Sequence, residues 1–168
     1  MGCDIHLFVE KRDESGAWKL VAVRSPCHWC NGSGRDREDR ECYKCKGTKE
    51  VRGYDDRDYR TFAALADVRN YFEPEITPIC HPKGFPSDMS PELDSIRLER
   101  VADDDALEAE YGEYWIGDHS YSWLTVAELL DYQPGEWRES AVFFARFLPE
   151  LVKVGKPSDV RIVFGFDN

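Results

Sequence analysis

Apolar and polar positions alternate from the first residues of the chain. Over 3–10, Cys3, Ile5, Leu7 and Val9 fall on one side, and Asp4, His6, Phe8 and Glu10 on the other. A period of two predicts a strand with one apolar face. Asp13-Glu14-Ser15-Gly16 predicts a turn, and 17–23 a returning strand. At the other end, Val160, Ile162, Phe164 and Phe166 repeat the alternation and predict a last strand over 159–166. The middle reads differently. Asp58 is placed to cap a helix from Tyr59 to Phe72, with Phe62, Leu65, Val68 and Phe72 on one face. Prolines at 74, 78, 82 and 86 predict a fixed loop over 73–90, and Ser90-Pro91 a short helix after it. Residues 103–113 hold six acids and no base, which reads as an exposed loop or helix end. Thr125 and Glu128 have capping-box spacing, so a helix is expected through Tyr132. Glu139–Phe147 reads as helical, with Pro149 kinking or restarting it before Val154. The sum is an α+β domain over 1–168, its small sheet built from the N- and C-terminal strands with packed helices. The first and last strands are expected to be neighbours.

Residues 24–53 interrupt this plan. Cys27-His-Trp-Cys30 and Cys42-Tyr-Lys-Cys45 form two C-x-x-C pairs separated by 11 residues. Each pair offers two thiolates to one side of a metal, and two pairs close a tetrahedron. Cys27, Cys30, Cys42 and Cys45 are therefore the expected ligands of a structural Zn2+, and the insert is expected to be a zinc-stapled β-hairpin. Four Cys ligands leave no open position for catalysis. His28, inside the first pair, is expected to be exposed. Cys27-x-x-Cys30-Asn31-Gly32-Ser33-Gly34 is a full C-x-x-C-x-G-x-G, and Cys42-x-x-Cys45-Lys46-Gly47-Thr48-Lys49 repeats it with lysine in the last glycine's place. Residues 26–50 thus resemble the zinc module of DnaJ-type co-chaperones. That resemblance implies the stapled hairpin and not a chaperone, since no J-domain surrounds it.

Charge refines the picture. Thirty-three acids against 22 bases give −11 over 168 residues. Loading Zn2+ on four thiolates lowers this to −13. Non-specific attraction to nucleic acid or anionic lipid is therefore not expected of the whole molecule. Residues 24–52 differ, with eight bases and five acids beside Trp29 and Tyr43. A basic, aromatic, stapled finger can hold single strands, but Arg35–Glu41 alternates in sign, which reads as a solvated mixed-charge face. No apolar run approaches the roughly 20 residues needed to span a bilayer, and the first residues lack the features of a signal peptide. The expectation is a cytoplasmic protein without membrane contact.

A polar site is expected where the chain ends meet. Asp4 and His6 face away from their strand's apolar side, as does Asp167 at the end of the last strand. With His119 these form the candidate catalytic set. Arg69, Asn70, Asp88, Ser120 and Ser122 are the candidate ligand-binding residues. His119, Ser120 and Ser122 precede the capped helix, where N–H groups would favour an anion. Asp4-x-His6 is open to three readings: the beginning of a two-metal hydrolase with a second divalent ion, a ligand cradle, or a structural histidine. Cys3 and Cys80 read as small buried apolar residues.

The opening Met1-Gly-Cys-Asp-Ile-His6 and the closing Arg161-Ile-Val-Phe-Gly-Phe-Asp-Asn168 resemble a protein family of tailed phages and prophages. Tyr59–Asn70, Gly84–Asp88 and His119–Leu124 fit the same pattern. The resemblance implies a phage accessory protein made in the bacterial cytoplasm, and implies no activity. Three functions remain in view. The first is binding, with or without hydrolysis, of a phosphorylated small molecule such as a nucleotide. The second is an acidic, zinc-stapled interaction protein that binds or inhibits a host protein or nucleic-acid complex. The third is a minor structural or assembly component.

Overall fold

The computed structural model describes residues 2–99 and 105–168. Its centre is a four-stranded antiparallel sheet of β1 (Ile5–Arg12), β2 (Trp18–Val21), β5 (His119–Thr125) and β6 (Val160–Phe166), in the order β2-β1-β6-β5. The two chain ends do pair: Ile5 lies opposite Phe166, Leu7 opposite Phe164 and Glu10 opposite Arg161. A separate hairpin of β3 (Arg24–Pro26) and β4 (Glu50–Arg52) forms the neck of the insert.

The alternation at the chain ends builds the first core. Ile5, Leu7, Val9, Ile162, Phe164 and Phe166 face α1 (Tyr59–Ala66), α4 (Val126–Asp131) and α6 (Leu148–Val154). Phe62, Phe143, Phe147, Phe164 and Phe166 are essentially sealed from solvent. Full burial of such a side chain is worth about 1.5–3 kcal/mol relative to exposure.

The opposite face was expected to be hydrophilic, and it is not. Phe8 and Val163 pack there on Leu93, Ile96 and Ile116, under α2 (Pro91–Glu99) and α3 (Asp105–Tyr111). Helices cover both sides, so β6 is buried along its whole length. Of the polar groups on this face, His6, Glu10 and Arg161 are buried, while Asp4 and Asp167 at its edge stay partly exposed. Asp103 and Asp104 of the acidic run lie outside the described residues; Asp105–Tyr111 is helical.

Three local expectations change. The helix capped by Asp58 ends at Ala66 and does not reach Phe72. Asp67 adopts a left-handed conformation (φ 58°), and its N–H closes on the Phe62 and Ala63 carbonyls, a helix stop that usually uses glycine. Pro149 stands in the first turn of α6, directly after a π turn, so the helix restarts there as its sequence predicts. Ahead of it, α5 covers only Trp137–Ser140, and Phe143–Phe147 is a wider π turn. The stretch 119–125, by its sequence a polar lead-in to a helix, is strand β5. It carries a bulge between His119 and Ser122, with Ser120 at φ 51°. Among the described residues no helix is long and apolar enough to cross a membrane.

Candidate metal centre and polar clusters

The insert brings Cys27, Cys30, Cys42 and Cys45 together, all buried and with sulfurs within 4.8 Å of one another. Cys27 Sγ lies 3.9 Å from Cys42 Sγ, and Cys30 Sγ 3.7 Å from Cys45 Sγ. A disulfide needs about 2.05 Å. A tetrahedron of thiolates at about 2.3 Å from a metal has edges of about 3.8 Å. The four sulfurs therefore fit one tetrahedral ion.

The two halves have matching backbones. Asn31, Gly32 and Gly34 take positive φ after the first pair, and Lys46, Gly47 and Lys49 after the second. Lys49 adopts this conformation (φ 72°) although lysine has a Cβ, at a cost of about 1–2 kcal/mol. At the sulfur cluster the Gly34 N–H donates to Cys30 Sγ at 3.2 Å. Such N–H groups offset thiolate charge. Against the desolvation of burial, the Gly34 N–H and the neighbouring thiols pull the Cys30 thiol down to about 6.

The hairpin is moored to the body. Arg146 donates to Asn31 Oδ1 at 2.6 Å, and Lys44 pairs with Asp55. His28, expected in solvent, is half-buried with Nε2 3.7 Å from Asp56 Oδ1. It turns inward because the first knuckle lies against the 54–56 segment. Its partner in the C-x-x-C, Trp29, points outward instead.

At the chain ends Asp4, His6 and Asp167 meet as expected. The Asp4 N–H donates to Asp167 Oδ1 at 2.9 Å. His6 Nε2 faces Asp167 Oδ2 at 3.4 Å, and His6 Nδ1 faces Glu113 Oε2 at 2.8 Å. The imidazole also packs on Trp115, with ring centres 4.6 Å apart. Burial works to lower its pKa, but the Glu113 and Asp167 carboxylates prevail and raise it. Asp4 is gripped at both oxygens by Arg57, at 2.7 and 2.6 Å, and that contact holds its carboxyl below the usual range. His6 thus sits between two carboxylates, bonded to Glu113 through Nδ1, while Nε2 faces Asp167 without a hydrogen bond. No metal-ligating group of three forms here among the described residues; the four cysteines are the cluster found.

The remaining predicted residues do not join this cluster. His119 lies opposite Phe166 on the other face of the sheet, stacks on that ring at 6.1 Å, and has Nδ1 3.0 Å from Ser120 Oγ. The two also lie at the far end of β5 from Thr125, about 20 Å at strand rise, so the helix start is out of reach. Its donors are also taken, since Thr125 and Glu128 close a full capping box. Ser122 is buried and accepts from the Lys83 N–H. Asn70 uses its amide to clamp Asp67 and Ile76 across the loop. Arg69 donates to Asn168 at the chain end. Asp88 stands at the opposite end of the sheet, accepting from Trp18 Nε1 at 3.0 Å and Arg161 at 2.7 Å.

Sequence reasoning missed Glu113, Arg57 and the buried pair Glu10–Arg161, whose side chains meet at 2.8 Å. Glu113 was submerged in an acidic run. Glu10 and Arg161 could have been found: once the terminal strands pair, both fall on the non-apolar side in register. Comparison with protein-family models, curated proteins and solved structures found no match.

Proposed function

We propose that the chain is a zinc-stapled interaction protein that binds a host protein or nucleic-acid complex through the exposed aromatic side of the 24–53 insert. One observation carries this reading. Trp29 and Tyr43 are 58% and 59% exposed, and their rings touch at 5.3 Å. Each is an interior residue of one C-x-x-C knuckle. The ion that gathers the thiolates therefore also sets the two rings side by side. Rigid exposed aromatics are the side chains that anchor binding surfaces. Four thiolates select zinc over hard cations such as Mg2+ or Ca2+. The phage resemblance supplies the setting, an accessory protein in a bacterial host. The burial of His6 and its bond to Glu113 support a structural role for the chain-end cluster.

The test is capture from bacterial lysate with wild-type protein and with the double variant Trp29→Ala/Tyr43→Ala, alongside a zinc determination. The expected result is one zinc per chain in both, and loss of the captured partner with the variant. Undiminished capture by the variant would overturn the reading.

A further inference from the structure

A cavity of about 550 Å3 opens at the end of the sheet away from the chain termini, lined by Arg12, Trp18, Lys83, Asp88, Trp123 and Arg161 among others. Its size suits a small-molecule ligand. The back wall is rigid. Arg161 is almost wholly buried, lies 3.9 Å from the Trp18 ring centre, and is held by Glu10 and by both the carboxylate and the carbonyl of Asp88. A guanidinium so matched contributes shape more than charge.

The exposed groups differ from that wall. The Asp88 carboxylate is 59% exposed despite its two bonds, which leaves lone pairs for donors from solvent or ligand. Arg12 caps the Trp18 ring at 4.7 Å and has no carboxylate partner among the described residues. Lys83 sits 4.1 Å over the Trp123 ring and pairs with Glu128 in a partly exposed contact. Exposed pairs of this kind are weak, so this ammonium is available to a stronger anion. The indole of Trp123 is half-buried and fixed in β5 at the cavity wall, and the Lys83 ammonium covers its ring.

We propose that this cavity binds a nucleoside phosphate. The phosphate draws Arg12 and Lys83, the base takes the place on the Trp123 indole that Lys83 leaves, and sugar hydroxyls or base amines donate to Asp88. Each element of the ligand has one matching surface, and no other compound class uses all three: a sugar phosphate leaves the indole idle, and an aromatic amine leaves the cations idle. This reading is independent of the metal centre. It transfers the phosphorylated-ligand expectation from the chain ends, where carboxylates crowd His6, to the far end of the same sheet.

The experiment is titration of the full metal-loaded chain with nucleoside 5′-monophosphates, followed by tryptophan fluorescence and calorimetry. Inorganic phosphate and the unphosphorylated nucleosides are run in parallel. At least one nucleotide is expected to bind about tenfold or more tightly than either control, and Arg12→Ala to weaken it about tenfold. Arg12 is exposed, so its variant should melt with the wild type; Trp123→Phe, which keeps an aromatic ring, should weaken binding with the fold intact. Equal affinity for nucleotide and inorganic phosphate, no saturation with any nucleotide, or an Arg12→Ala curve that overlays the wild type would each overturn the proposal.

Discussion

Around the four cysteines, Val51 is the one apolar side chain packed on the cluster among the described residues. The body of the chain instead encloses two apolar clusters on the two faces of one sheet. The insert has short strands, many left-handed residues and ion pairs that lie in solvent, such as Arg40 with Asp36 and Glu38. Nothing in such a segment offsets the entropy of ordering some thirty residues except the metal. The body has burial to draw on and would stand without the insert. With an ion on the four cysteines, as proposed above, coordination would order one region of the chain, and packing orders the other. The two should respond to different perturbations.

Removing the metal tests this most directly. Structural zinc contributes on the order of 10–16 kcal/mol of apparent binding energy to small modules. Chelation should let the amides of 24–53 exchange rapidly with deuterium while those of β1 and β6 stay protected. Joint loss of protection would mean that the moorings through Arg146 and Asp55 make one cooperative unit. Next in size is the buried pair in the body. Removing Arg161 leaves the Glu10 carboxylate without its partner in a sealed site, so Arg161→Ala should cost about 3–5 kcal/mol in urea unfolding. The double change Glu10→Leu/Arg161→Met should recover most of it, and zinc content should not change in either. The converse variant is Gly34→Ala. A Cβ there would lie 2.8 Å from the Gly47 carbonyl at φ +82°, and the N–H that supports Cys30 would shift. A penalty of about 2 kcal/mol is expected, read as weaker metal retention with the unfolding midpoint of the body unaltered.

The metal site was legible in the sequence because its information is local: residue type, spacing of two, and the glycines that follow. The pairing of the chain ends was legible because alternation fixes which side of a strand is apolar. What covers the other side is not local. Phe8 was grouped with Asp4, His6 and Glu10 as a polar flank, yet it anchors a second core because α2 folds over it. His119 was grouped with His6 on polarity alone. The bulge at Ser120 and the β5–β6 register put it on the opposite face, and no property of residues 117–124 taken singly carries that register. Asn70 and Ser122 look like ligand groups in a sequence for the reason that they serve as clamps in the fold: short side chains with donors or acceptors that reach backbone.

The smallest effect is expected at His6, and its sign sets the two regions apart. Burial disfavours the imidazolium, but Glu113 and Asp167 outweigh it and the folded pKa is raised. A group whose pKa is raised on folding adds stability that is complete below its unfolded value, near 6.5. That contribution is lost as pH climbs through the folded value. The clamp between the chain ends should therefore weaken as pH rises above the unfolded value and through the raised folded one. The metal module runs the other way, since acid protonates thiolates and releases the ion. Thermal unfolding of the zinc-loaded chain followed across this range should show the body losing stability as pH rises. His6→Gln, which keeps one hydrogen bond and no charge, should cost about 1–2 kcal/mol at the acid end and flatten the slope above it. A variant slope that matches the wild type would mean that His6 is neutral in the folded protein, and that Glu113 and Asp167 are held by backbone donors alone.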